Sequence, residues 1–338
     1  MDKLGVAIIG CGSIHNVHAD AVTGSKLSHL VCVADIQRDK AYTSAQNYNC
    51  KWYTDYIDAI KDDAVDVVHI CTPHYLHAEM AVQALLAGKH VLIEKPVSIH
   101  IKEAEEIIDA REKSRRYVGV CFQNRFNKTS QKAKEMIDSG VVGAVKGVKG
   151  IVTWFRDEDY YTKSGWRGRF ATEGGGVLIN QSIHTIDLMQ WLGGGVEAVR
   201  GSVSTHLLGN VIEVEDTAHA TLFFNNGARG VFYATNCYTT NSPVEIEIDC
   251  EKAKLRLYDE KLYVEQDGYC NCIANENGGE TSYKSYWGKS HADLIQRFYN
   301  GILNEDLGSI ISVEEAMESI KIIDAIYKSS STGNLIHI

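Results

Sequence analysis

Residues 87–96 read AGKHVLIEKP. The run His90-Val91-Leu92-Ile93 has the apolar, β-branched texture of a strand buried in a parallel sheet. It ends on an acid, a base and a proline, Glu94-Lys95-Pro96. Ligands of open α/β sheets bind outside the carboxyl ends of the strands, so Lys95 stands where a catalytic group is expected. A lysine leaving a hydrophobic strand is partly desolvated, which lowers its pKa and lets it exchange a proton near neutrality. A strand-end lysine can equally just reach solvent, and the neighbouring segments decide between the two.

Upstream and downstream of this decapeptide, short apolar runs alternate with stretches of helical period over about the first 120 residues, the pattern of a parallel sheet covered by helices. Strands are expected at Leu4–Ile9, Leu30–Ala34, Val65–Ile70, Val91–Ile93 and Val118–Phe122, with helices near Ser13–Val22, Asp39–Asn47, Leu76–Leu86 and Ile101–Arg116. After about residue 124 the texture changes. One helix (Ser130–Ser139) precedes strand-like runs at Val145–Phe155, Val196–Leu207, Thr217–Asn225, Arg229–Cys237, Val244–Asp249, Lys254–Tyr258 and Leu262–Gln266. Asn226-Gly227 is a hairpin signal, and the sheet reads as largely antiparallel. Helices around His291–Leu303 and Val313–Lys328 close the chain. The expected division is 1–123, a nucleotide-binding α/β domain, and 124–338, an α+β domain for substrate and oligomerisation.

The first strand runs into Gly10-Cys11-Gly12-Ser13-Ile14-His15 and then a helix. Gly10 permits the tight turn and Gly12 the approach of a pyrophosphate to the helix N-terminus. His15 stands where a third glycine or alanine is usual, so the loop alone is equally well structural. The second strand ends in Asp35, 23 residues after Gly12, near the ~20 at which a carboxylate receives ribose hydroxyls. Asp35 favours NAD and repels the 2′-phosphate of NADP; Arg38, three residues on, could tolerate that phosphate, which leaves NADP open as the lesser choice. Thr72 and Pro73 follow another strand at the same carboxyl edge.

A second constellation spans 174–191, GGGVLINQSIHTIDLMQW. Three glycines permit close backbone approach. Asn180, His184 and Asp187, at i, i+4 and i+7, should share one face of an otherwise apolar helix. Histidine is the natural acid/base near pH 7. Upstream, Tyr160-Tyr161 and Trp166-Arg167-Gly168 offer aromatic faces and an arginine suited to a hydroxylated ligand with a carboxylate or phosphate.

A length of 338 residues fits two domains, and a net charge of −10 argues against nucleic acid or an anionic membrane as partner. No apolar run approaches the ~20 residues of a membrane span, and Met1-Asp2-Lys3 leads into a strand with no secretory signal, so a cytoplasmic protein is expected. The nine cysteines are odd in number and scattered, which favours free thiols and no metal site.

Together these motifs resemble the family of sugar and cyclitol dehydrogenases typified by glucose–fructose oxidoreductase and inositol 2-dehydrogenase. The carriers are the strand–Gly-x-Gly–helix unit, GKHV-x-x-EKP, and GGG-x-L…H-x-x-D, in order along essentially the whole chain. The likeness extends to Phe122-Gln123-Asn124-Arg125-Phe126 and to His291. The resemblance implies a Rossmann domain, an open and mostly antiparallel C-terminal sheet that forms homodimers or homotetramers, and a catalytic pair, here Lys95 and His184. Gly10, Gly12, Ser13, Ile14, Asp35, Arg38, Thr72, Pro73, His77, Glu94, Lys95 and Gln123 are then expected to hold the cofactor. Lys95, Arg125, Tyr161, Trp166, Arg167, Asn180, His184 and His291 are expected to hold a sugar or cyclitol. Inositol dehydrogenases generally place an aspartate where Asn180 stands. The YY…WRG and LINQ-x-IHTID wording is closer to members oxidising the 3-hydroxyl of nucleotide-linked amino sugars. Two other activities stay open at this point: a glycosidase using NAD transiently, and an NAD-binding regulator without turnover.

Overall fold

The computed structural model describes residues 3–276, 290–306, 308 and 310–338. The chain divides into two compact units, Met1–Gln123 with Ser290–Met317, and Asn124–Lys289 with Glu318–Ile338.

In the first unit, β1 (Leu4–Ile9), β2 (Ser28–Ala34), β3 (Lys51–Tyr53), β4 (Val67–Ile70), β5 (His90–Glu94) and β6 (Val118–Cys121) form an all-parallel sheet. Their order is β3-β2-β1-β4-β5-β6, the doubly wound arrangement whose direction reverses between β1 and β4 and leaves a crevice at the carboxyl ends there. The intervening helices are α1 (His15–Thr23), α2 (Arg38–Tyr48), α3 (Tyr56–Lys61), α4 (His77–Leu86) and α5 (Ile101–Ser114). The strands β1, β4 and β6 are buried along their whole length, which is why they read as unbroken apolar runs. β3 and α3 escaped the sequence pattern because they are three and six residues long.

The second unit begins with α6 (Lys128–Asp138) and β7 (Val145–Thr153), followed by α7 (Glu158–Thr162), α8 (Phe170–Glu173) and α9 (Ile183–Gly193). Then come β8 (Val196–Ser204), β9 (Thr217–Phe224), β10 (Arg229–Thr235), β11 (Glu245–Cys250), β12 (Lys254–Tyr258), β13 (Lys261–Gln266) and β14 (Tyr269–Asn275); β15 (Ile336–His337) ends the chain. The nine strands make one sheet in the order β14-β13-β12-β11-β7-β10-β9-β8-β15, antiparallel except for the parallel pair β7–β10. Helix α9 packs on β7, where glycine at 150 leaves room for Met189: a Cβ there would lie 2.2 Å from its sulfur. The strands β10 to β12 alternate buried and accessible residues. The accessible face carries a lattice of charge, with Lys149 3.1 Å from Glu245 and 3.2 Å from Glu247, and Arg256 2.9 Å from Glu245.

The expected second domain of 124–338 needs one correction. Helix α10 (His291–Asn304) and the first turn of α11 (Val313–Thr332) group with the first unit. The reason is apolar packing: Phe298 and Tyr299 are fully buried, and glycine at 119 in β6 is what admits Phe298 and Ile310, each 3.0 Å from where a Cβ would stand.

Candidate active site

At the end of β1, Gly10 has φ +97, and a Cβ there would meet the Cys71 carbonyl oxygen at 2.6 Å. Only glycine passes so close to the exit of β4. At Gly12 a Cβ would meet nothing within 4 Å, so its backbone faces open space, and no side chain caps α1. Asp35 accepts the Cys11 N–H at 2.8 Å and the Gln37 N–H at 2.8 Å, which fixes its carboxylate over the loop where a ribose would lie. Ser13 is exposed and Ile14 half-buried; Arg38 stacks on Trp52 at 5.6 Å. Glycine-lined space, an uncapped helix start and a fixed carboxylate fit a dinucleotide. His15, the departure from the glycine pattern, is buried and bonds Ser44 of α2 at 2.5 Å. Burial pushes its imidazole down to about 4, so it is a neutral packing residue. Thr72 and Pro73 are half-buried at the exit of β4, and Gln123 is buried in the turn after β6. His77 is buried, its ring nitrogens 2.6 Å from the Pro96 carbonyl and 2.9 Å from that of Thr72. It ties two strand exits together instead of facing a ligand.

Lys95 is half-buried between the buried Glu94 and Pro96. Glu94 does not face outward as a cofactor contact. Its carboxylate accepts from His18 Nε2 at 3.0 Å, with His291 Nε2 at 3.4 Å on the same oxygen. That proton placement leaves His18 Nδ1 to accept from His69 Nδ1 at 3.0 Å, and His69 Nε2 to accept the Tyr299 hydroxyl at 2.9 Å. One proton per ring satisfies every link. Burial raises the Glu94 carboxyl, but the hydrogen bonds from His18 and His291 outweigh it and hold it well below the usual carboxylate range. Burial also pushes His69 and His291 down and Tyr299 well up. The row of hydrogen bonds therefore holds a fixed anion at Glu94. His291, the first residue of α10, belongs to this cluster in the first unit. His18, Glu94 and Cys121 offer ligand atoms within 4.8 Å of one another, but Glu94 and His18 are already hydrogen-bonded to each other.

In the second unit His184 is half-buried on α9, whose other residues from Ile183 to Gln190 are buried. The helix starts at Ile183, so Asn180 lies in the turn before it and the expected single polar face is broken. Asp187 and Arg125, the latter expected to bind substrate, form a buried two-pronged pair at 2.8 and 2.7 Å, and Arg125 also stacks on Trp191 at 5.5 Å. The triple glycine serves packing inside the unit. A Cβ on Gly176 would lie 1.9 Å from the Glu215 carbonyl oxygen, while the Gly176 and Leu178 N–H groups donate to the Glu215 carboxylate at 3.0 and 2.9 Å. Tyr161 is buried, accepting from Asn236 at 2.9 Å. Trp166 and Arg167 are half-buried. The Arg167 guanidinium lies 4.5 Å from the Tyr160 ring and 4.8 Å from that of Trp166, and its buried Nε has no hydrogen-bond partner among the described residues. Glu173, which sequence reading missed, is fully buried and bonds Asn180.

Residues 4–122 match the family model for the oxidoreductase family, NAD-binding Rossmann fold, and residues 130–256 match that for the GFO/IDH/MocA C-terminal domain. D-glucoside 3-dehydrogenase of Escherichia coli (strain K12) is 26% identical over 99% of this chain and 97% of its own. The scyllo-inositol 2-dehydrogenase (NAD(+)) of Bacillus subtilis (strain 168) is 28% identical over 72% of this chain and 70% of its own. Among solved structures, the WlbA dehydrogenase of Chromobacterium violaceum, in complex with NADH and UDP-GlcNAcA, superposes with a TM-score of 0.88 at 26% identity, covering 99% of this chain and 96% of that one. The two matches together cover most of the chain, which thus belongs to the GFO/IDH/MocA family of NAD-binding oxidoreductases.

Proposed function

We propose that the protein is an NAD-dependent dehydrogenase that interconverts a ring secondary alcohol and its ketone on a sugar, sugar derivative or cyclitol. The observation that carries this reading is shared by Lys95 and His184: each is the half-exposed member of an otherwise buried run, so the two side chains with proton chemistry are the ones left accessible. Bound nicotinamide supplies the hydride acceptor. His184 is assigned the role of base for the hydroxyl proton, and Lys95 that of a hydrogen-bond donor that stabilises developing negative charge. Free NADH accumulating with a ring-alcohol substrate is the expected result. Glycoside cleavage with retained cofactor and no net NADH would replace this reading with that of a glycosidase.

Cofactor choice follows from Asp35. A carboxylate fixed by two backbone N–H groups repels a 2′-phosphate, so kcat/KM should favour NAD over NADP, and Asp35→Ser should narrow the gap at least tenfold. A wild type that prefers NADP would mean Arg38 governs the choice.

For the substrate we propose an anionic or nucleotide-linked sugar, because the stacked Arg167 keeps a buried nitrogen without a partner and its planar fork suits carboxylate or phosphate. Arg167→Ala should raise KM for such substrates about tenfold or more and leave neutral sugars nearly unaffected. A panel of sugars, cyclitols and sugar nucleotides followed by NADH absorbance decides; a neutral inositol or glucoside outrunning every anion in both proteins would make Arg167 structural.

Among the described residues no helix is long and apolar enough to cross a membrane. The cysteines are free, and we place the protein in the cytoplasm, as a homodimer or homotetramer built through the open sheet face. The half-buried charge lattice on that face supports a polar interface. Sedimentation should give a multiple of 37.5 kDa that dissociates in Lys149→Glu; a concentrated wild type that stays monomeric would remove the interface.

A further inference from the structure

Glu173 is the last residue of α8, and Gly174 after it, with φ +86, turns the chain sharply. The side chain is fully buried. One carboxylate oxygen receives Asn180 Nδ2 at 2.5 Å, and the other receives the Gly168 N–H at 2.5 Å. An ionised carboxylate only accepts, so the side of Asn180 that faces it must be the NH2 group. The Tyr160 hydroxyl lies near the same nitrogen, at 3.4 Å. Because the amide is planar, its carbonyl oxygen then points to the other side of the group.

We propose that Glu173 is a positioning residue that locks the Asn180 amide with its carbonyl turned away from the acid, making Asn180 a hydrogen-bond acceptor on the ligand side, and that the same carboxylate holds the Arg167–Gly168 backbone in register with it. Asn180 then behaves toward a hydroxylated ligand as a carboxylate would, with the actual charge one side chain behind. The activity arm of this inference rests on the dehydrogenase reading; its structural arm does not.

The groups around Glu173 are Arg167, which favours its charge, Glu215, which opposes it, and the phenols of Tyr161 and Tyr327. Burial, the largest influence, pushes the carboxyl up to about 7, although the bonds from Asn180 and Gly168 pull it down. As pH falls through that value, one oxygen becomes a donor and one of the two contacts is lost. Activity should therefore fall on the acid side of neutrality.

Three proteins test the lock: Glu173→Gln, Asn180→Asp and the two combined. Glu173→Gln presents a donor where an acceptor is needed, and kcat/KM should drop about tenfold or more. Adding Asn180→Asp restores a donor–acceptor pair with an acceptor still turned to the ligand, so most of the loss should return and the acid limb should vanish. In thermal unfolding at pH 8, Asn180→Asp alone places two carboxylates in contact and should lower Tm; adding Glu173→Gln should raise it again. A combined variant that recovers neither kcat/KM nor Tm overturns the proposal. Recovery of Tm in a protein that oxidises no ring alcohol supports the lock while removing the dehydrogenase reading.

Discussion

Lys95→Ala and His184→Ala should each lose about 10²–10⁴-fold in kcat, the usual worth of a positioned proton-transfer group. If both groups serve one chemical step, their losses should combine to much less than their product. NADH binding, followed by nicotinamide fluorescence, should survive in His184→Ala, because the glycine loop and Asp35 lie in the other unit. The pH profiles separate the roles. Loss of a base at 184 should leave a residual rate that rises with hydroxide. Near-wild-type turnover in both variants on an identified substrate would end the assignment.

The second large effect is on stability. Asp187→Ala removes the two-pronged carboxylate partner of the buried Arg125 guanidinium, whose side chain is 4% exposed. Breaking one side of such a pair costs about 3–5 kcal/mol, which for a unit of this size lowers Tm by roughly 10 °C. Replacing both partners with apolar side chains, Arg125→Met with Asp187→Leu, removes the stranded charge along with its partner and should return most of that loss. If Asp187→Ala melts with the wild type, Arg125 has another partner of equal worth or has turned to solvent, and a ligand-binding role for it regains standing.

Much of the fold could be read because its periods are strong. β1, β4, β5 and β6 are apolar end to end or nearly so, and the sheet of the second unit alternates with a period of two. The placement of Gly10, Gly12, Asp35 and Lys95 at strand exits was legible because it depends on sequence offset, which a chain displays directly. What stayed hidden depends on distance between remote residues. Nothing local to Glu173 or Glu215 distinguishes a buried carboxylate accepting backbone N–H groups from a solvated one. Arg125 and Asp187 are 62 positions apart, and each alone looks like a ligand group. The spacing of Asn180, His184 and Asp187 suggested one helical face, but the turn at Ser182 places Asn180 before the helix, and its partner is Glu173.

The return of α10 to the first unit has a consequence for how the molecule is made. A nascent chain that has delivered β1 to β6 holds the whole parallel sheet and its glycine loop, yet lacks the layer that supplies Phe298 and Tyr299. Until then His69 has no hydroxyl from Tyr299, and Glu94 has no His291. Most of the second unit lies between the two segments of the first, and its strands β7 to β14 leave the ribosome before the first unit can finish its core. Cα-distant closure of this kind carries an entropy cost that grows slowly with loop length but delays folding, because the rewarding contacts come last. The nucleotide-binding unit, first to begin translation, thereby waits for residues 290–317 before its core is complete.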